Sequence, residues 1–304
     1  MLNNPIISVM GLALSVMTGS ANGTTMTHSS GANEACAASL ISLDPVSAQS
    51  TYDVFSTATS PLVKGYQVRA DVMGQNCSIV VEIDVDDGST VLRGTAQQAL
   101  RFEWAGGNGY QKGGRWYVTL TEMTPNAQFQ LRFLSDQWAT AGQFNGQMTA
   151  SIQPNNSNEP ISEEEVFLEA EVDVLPSAKI QFYGLSQRHY DLDLGKLDSH
   201  KVIQSAPNLW VQSTGEYAIS IESENRGYLR HESLNTQWDV AYDFLINNQE
   251  ISLVNTSKQW RSSHATQGKA LPMAFVIGDI SQRPGGDYSD ILHITIEPEL
   301  SQTP

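Results

Sequence analysis

The chain has 304 residues, 33 acidic against 17 basic side chains, and a formal net charge of −16. That balance excludes a nucleic-acid grip, which needs clustered Lys and Arg to displace counterions from phosphates. A 40% hydrophobic content with many aromatic and β-branched residues excludes a long disordered chain, and the length allows two domains of ordinary size.

Residues 5–17 are an apolar run too short to anchor the chain across a bilayer but suited to a signal-peptide core, followed by the small residues Gly19, Ser20 and Ala21. Residues 1–21 are therefore expected to direct export, although no Lys or Arg precedes the run. No later stretch approaches the roughly 20 consecutive apolar residues that a spanning helix needs. Cys36 and Cys77 are the only cysteines, and an even count in an exported chain favours one disulfide between them. Two buried thiols and half of a metal site are the alternatives, the latter without a nearby His or second Cys pair.

Period-two alternation then dominates, as in Leu100, Phe102 and Trp104, in Trp116, Val118 and Leu120, in Val166, Leu168, Ala170, Val172 and Val174, and in Val240, Tyr242 and Phe244. Turn clusters such as Asp86-Asp87-Gly88-Ser89 and Gly113-Gly114 separate these strands, and no stretch carries a 3.6-residue apolar period. The expected fold class is all-β, with two tandem immunoglobulin-like sandwiches. An internal repeat supports the pairing: residues 141–154 align without gaps with residues 285–298, a shift of 144. The same shift sets Phe129, Leu131 and Phe133 over Met273, Phe275 and Ile277. Residues 154–161 hold two prolines and four Asn or Ser side chains, the composition of an exposed linker. The expected domains are 32–153 and 162–298, with 154–161 between them.

Past Ile296 the sequence offers two prolines and no alternation, so the second domain is expected to lack its last strand, leaving a groove and unpaired ladder edges. Insertion of a strand from outside would close it. The closing Ala-Gly-Gln-Phe-Asn-Gly and Gly-Gly-Asp-Tyr-Ser-Asp turns with the strands after them carry a resemblance, together with the Cys36 and Cys77 pair, the Leu-Asp-Leu-Gly-Lys-Leu stretch at 192–197 and the aromatic strands around Phe102 and Tyr242. In these the chain, over nearly its whole mature length, resembles the spore-coat-U-like pilins of archaic chaperone–usher pili. It departs from them in having no cysteine in its second half, where Ser177 and Ser213 stand near the places of a pair.

Residues 22–35 contain no alternating apolar segment to donate to a neighbour, so the resemblance implies a subunit that only accepts a strand, a tip adhesin. It further implies export through the periplasm to a cell-surface fimbrium, with a periplasmic chaperone, an outer-membrane usher and an adjacent pilin subunit as partners. The role implied is attachment to host or abiotic surfaces and biofilm formation. The competing reading is a free-standing secreted carbohydrate-binding or matrix protein, since a fold does not fix a function.

No nucleophile elbow, zinc-protease helix or phosphate loop is present, and the histidines are scattered, so no catalysis and no cofactor are expected. Asp84, Asp86 and Asp87 begin like a calcium loop, but its twelfth position is Thr95 rather than Glu, and a hairpin turn accounts for the run. For surface binding the candidates are apolar residues read as turn positions of the first domain: Leu62, Val63, Tyr110 and Trp138. The candidate groove residues of the second are Phe275, Ile277, Leu292, Ile294 and Ile296, which also suit ordinary core packing.

Overall fold

The computed structural model describes residues 36–47, 51–56, 61–74, 76–153, 165–254 and 260–299. The expected signal peptide at 1–21 and the expected linker at 154–161 lie outside them. No helix among the described residues is long and apolar enough to cross a membrane.

In chain order the first half forms β1 (Ala37–Pro45), β2 (Thr51–Tyr52), β3 (Leu62–Met73) and β4 (Ser78–Val85). Short strands β5 (Val91–Arg93), β6 (Ala99–Arg101), β7 (Glu103–Ala105) and β8 (Gly109–Lys112) follow. Then come β9 (Arg115–Thr121), β10 (Asn126–Phe133), β11 (Gly142–Ile152) and β12 (Val166–Val174). The second half begins with β13 (Ala178–Phe182), β14 (Val202–Ile203), β15 (Leu209–Ser213) and β16 (Tyr217–Ser223). It continues through β17 (Tyr228–His231), β18 (Val240–Ile246), β19 (Gln249–Ile251) and β20 (Trp260–Ser262). Last are β21 (Thr266–Leu271), β22 (Met273–Ile277), β23 (Tyr288–Ser289) and β24 (Leu292–Pro298).

The fold is all-β, as the alternation predicts, because side chains two apart share one face of a pleated strand and the apolar row seeks a core. Local turn chemistry agrees. Gly113 and Gly114, at φ 58° and 83°, join β8 to β9 through a two-residue turn, and Asn247 and Asn248, at φ 51° and 64°, do the same for β18 and β19. Positive φ at both central positions matches the twist of a hairpin.

One sheet of the first sandwich runs β1-β3-β10-β7, and the other runs β2-β12-β11-β4-β9-β8 with β5 and β6 attached. Their shared core holds Tyr66 stacked on Phe129 at 5.7 Å, with Trp104 5.8 Å from the same ring. Cys36 and Cys77 form a disulfide, their Cα atoms 5.2 Å apart. The second half has a separate core around Phe244 and Phe275, whose rings lie 5.0 Å apart. Its sheets run β13-β15-β21, β14-β22-β18-β17-β23 and β20-β16-β24.

One expected boundary is corrected. By its sequence position strand β12 is expected in the second domain, but it pairs with β11 from Gly142 opposite Val174 to Ala150 opposite Val166. Ala170, Val172 and Val174 are buried in the first core. Alternation reveals a strand without revealing which sheet receives it, and the polar stretch at 154–161 precedes this last strand of the first sandwich. The passage between the halves is Leu175-Pro176-Ser177. It is tied down by fully buried Thr214, whose hydroxyl accepts from the Ser177 N–H at 2.8 Å and whose carbonyl accepts from the Ala141 N–H at 2.7 Å.

The repeat holds in three dimensions. Trp104 of β7 pairs with Leu131 of β10, and Phe244 of β18 pairs with Phe275 of β22. Strand β4 pairs with β11, and β16 pairs with β24. Where the first sandwich has its disulfide, the second brings the Ser213 hydroxyl within 3.2 Å of the Ser177 carbonyl.

Candidate functional site

The two copies differ in how one strand is flanked. Strand β11 is flanked by β4 on one edge and β12 on the other, whereas β24 pairs with β16 alone among the described residues. The side-chain row responds accordingly. Phe144, Met148 and Ala150 of β11 are at most 1% exposed, while Tyr288, Leu292 and Ile294, which occupy the same places in the repeat, are only partly buried. An apolar row facing a core without full cover is the mark of an absent neighbour.

A cleft of about 920 Å³ lies along this edge. Phe182 at the end of β13, Tyr242 and Phe275 from β18 and β22, and Leu292 and Ile294 of β24 line it. Of the five residues expected in a groove, Phe275, Leu292 and Ile294 are therefore here. Ile277 is fully buried in the core, and Ile296 lies further along β24, partly buried. The segment 192–197 also lines the cleft, with Leu192, Leu194 and Leu197 resting on the core. Lys201 fastens it, its Nζ donating to the carbonyls of Leu194 and Lys196 at 2.8 and 2.7 Å.

Sequence reasoning missed the polar members of this cleft. Asp290, between β23 and β24, takes hydrogen bonds from Ser223 and from the Tyr242 hydroxyl. Burial first, and then that carboxylate, raise the Tyr242 hydroxyl well above the ordinary tyrosine range, so it remains a donor. The signal was present as a charged residue on the inward phase of an otherwise apolar alternation.

In the first sandwich, Leu62 and Val63 are the opening residues of β3, and Leu62 pairs with Phe133, where the chain enters the turn carrying Trp138. That turn is pinned by Tyr52, whose hydroxyl donates to the Leu134 carbonyl at 2.8 Å and accepts from the Gln137 N–H at 3.1 Å. Trp138 is partly exposed and meets Phe55 edge to face at 6.2 Å. Tyr110, expected in a glycine-rich loop, instead sits in β8, 56% exposed and stacked on Tyr117 at 5.2 Å. The glycines at 113 and 114 make a tight hairpin rather than a loop, so Tyr110 belongs to a sheet edge. Leu62, Val63 and Trp138 lie towards the end of the sandwich at which Val174 leads into the second half, and Tyr110 lies on the edge strand β8.

The carboxylates of the calcium-like run go to separate partners. Asp84 accepts from the Gly88 N–H at 3.3 Å, Asp86 from the Gln147 N–H at 3.0 Å, and Asp87 pairs with Arg115 at 2.5 Å.

No protein-family model matches the chain, and no curated protein matches it. Among solved structures it is similar to a chain of the CsuC–CsuE chaperone–tip adhesion subunit pre-assembly complex from the archaic chaperone–usher Csu pili of Acinetobacter baumannii. That likeness has a TM-score of 0.43 and 13% identity, over 84% of this chain and 100% of the other. It is also similar to CfaE, the adhesive subunit of the CFA/I fimbria of enterotoxigenic Escherichia coli, with a TM-score of 0.39, 10% identity and coverages of 86% and 82%. A third is the CupB6 tip adhesin from Pseudomonas aeruginosa, with a TM-score of 0.37, 8% identity and coverages of 86% and 94%.

Proposed function

We propose that this protein is a non-catalytic tip adhesin subunit of a chaperone–usher pilus, exported through the periplasm and displayed at the cell surface. Its second sandwich accepts a strand, first from a periplasmic chaperone and then, at the outer-membrane usher, from the adjacent pilin subunit. The observation that carries this reading is the contrast between two copies of one strand, β11 covered by β12 and β24 open on the same side among the described residues. Because the first sandwich is closed by its own β12, it needs no donated strand and is the half we assign to contact with a host or abiotic surface, through Leu62, Val63 and Trp138, supporting attachment and biofilm formation.

Main-chain ladder bonds and buried alternate side chains together drive strand addition. A peptide of alternating apolar residues in excess over the full chain is expected to raise the unfolding temperature of the second sandwich and leave the first unchanged. Saturation at about a hundred times Kd corresponds to roughly 2.7 kcal/mol of added stability. If no such peptide shifts either transition, the protein falls back to a free-standing secreted carbohydrate-binding or matrix protein.

A further inference from the structure

The floor of the open cleft carries a fixed carboxylate. Asp290 Oδ2 accepts from Ser223 Oγ at 2.5 Å and from the Tyr242 hydroxyl at 2.6 Å, and its Oδ1 accepts from the Asn225 N–H at 3.0 Å. Ser223 belongs to the sheet of β24 and Tyr242 to the facing one, so the carboxylate reaches inward across the sandwich. Both donors are held in place, being 5% and 6% exposed. An ionised carboxylate has about four acceptor positions. Three donors leave roughly one, on a residue that lines the cleft.

The first sandwich supplies a template for what lies opposite. The 144-residue shift sets Asp290 on Gly146, which pairs with Ala170 of β12. This row is filled by two of the smallest residues, and a Cβ on Gly146 would stand 2.8 Å from Val85 Cγ1. The same register sets Val172 opposite the place of Tyr288, Leu168 opposite that of Leu292, and Val166 opposite that of Ile294, with the added strand antiparallel.

We infer that Asp290 selects the strand that closes the cleft. The residue opposite it is Gly, Ala, Ser or Thr, and apolar side chains stand at two-residue intervals on either side, opposite Tyr288, Leu292 and Ile294. A Ser or Thr hydroxyl supplies the last donor, and a Gly or Ala leaves room for water. A Leu or Ile there strips water from a charged acceptor and gives nothing back, a costly exchange in a closed core. The inference rests on the strand-accepting reading above and adds to it a residue that reads the partner.

The test uses the full chain and a nine-residue peptide copied from residues 166–174, with Glu169→Gln, Glu171→Gln and Asp173→Asn to remove repulsion from a chain of net charge −16. Two further peptides carry Ala170→Ser and Ala170→Leu. Affinity is read by anisotropy of labelled peptide, and location by hydrogen exchange of the amides at 292–297. The parent and Ser peptides are expected to bind within about threefold of each other and the Leu peptide at least roughly tenfold more weakly, with Asp290→Ala restoring the Leu peptide. Equal binding of all three peptides, with protection at 292–297, overturns the selection by Asp290 and keeps the strand-accepting cleft. Absence of protection with every peptide overturns the cleft itself and the selection with it. Should Asp290→Ala fail to fold, the peptide series on the unaltered chain decides alone.

Discussion

Removing the disulfide gives a stability change that should be confined to one half of the molecule. The Cys36–Cys77 bridge closes a sequence separation of 41 residues. In the chain-entropy model this restricts the unfolded state by about 4 kcal/mol at 25 °C. The first sandwich extends from Cys36 to Val174, and at about 2.1 cal/mol/K per residue its unfolding entropy is about 0.3 kcal/mol/K. Paired Cys36→Ala and Cys77→Ala replacements should therefore lower its midpoint by about 13 °C. The second half has its own core and no cysteine, so its transition should stay where it is. Scanning calorimetry of the full chain, comparing native protein with the double variant, reads both transitions at once. A drop in the first below about 4 °C, or an equal shift in both, would refute the assignment of this bridge to one independently unfolding core.

Burial, with Glu171 adding to it, pushes the Tyr66 hydroxyl up to about 12, while an unfolded tyrosine ionises near 10. The folded form thus keeps a proton that the unfolded form sheds, so stability holds below pH 10 and falls by up to about 3 kcal/mol as pH rises to 12. Urea titrations of the first sandwich across that window should show the loss, and Tyr66→Phe should flatten it; an unchanged slope in the variant would count against burial as the cause. Gly94 has an ordinary φ of −102°, but a Cβ there would stand 2.7 Å from Cε1 of fully buried Phe144, so Gly94→Ala should destabilise the first sandwich by about 1–3 kcal/mol in denaturant unfolding. A neutral effect would mean that the ring has room to withdraw. Trp138→Ala should reduce retention on polystyrene by roughly fivefold, the equivalent of about 1 kcal/mol, whereas Tyr110→Ala on the edge strand β8 should not; equal losses would disprove a binding patch confined to Leu62, Val63 and Trp138.

Much of the architecture is legible in the chain. Alternation identifies the strands, an even count of two cysteines points to one bridge, and the shift of 144 residues reveals the duplication. Strand ownership is harder to read, because Val166, Leu168, Ala170, Val172 and Val174 have the same pattern whichever sheet they join. Among the described residues the second copy shows no counterpart of that strand, and this asymmetry locates both the boundary and the open edge. Tyr110 lies in a strand rather than a turn because a glycine pair can close a hairpin as readily as lengthen a loop. The cleft was half visible: the apolar members follow from the alternation, but the hydrogen bonds from Ser223, Tyr242 and Asn225 that hold Asp290 depend on contacts more than 40 residues apart in sequence.

The placement of β12 after the connection at 154–164 also governs the order of events during synthesis. A chain emerging from its amino terminus delivers β1 through β11 well before Val174, so for that interval the leading half presents the same uncovered edge that β24 shows among the described residues. Any holding factor that recognises such a gap therefore has two successive sites on a nascent molecule, the earlier one extinguished by the chain's own progress.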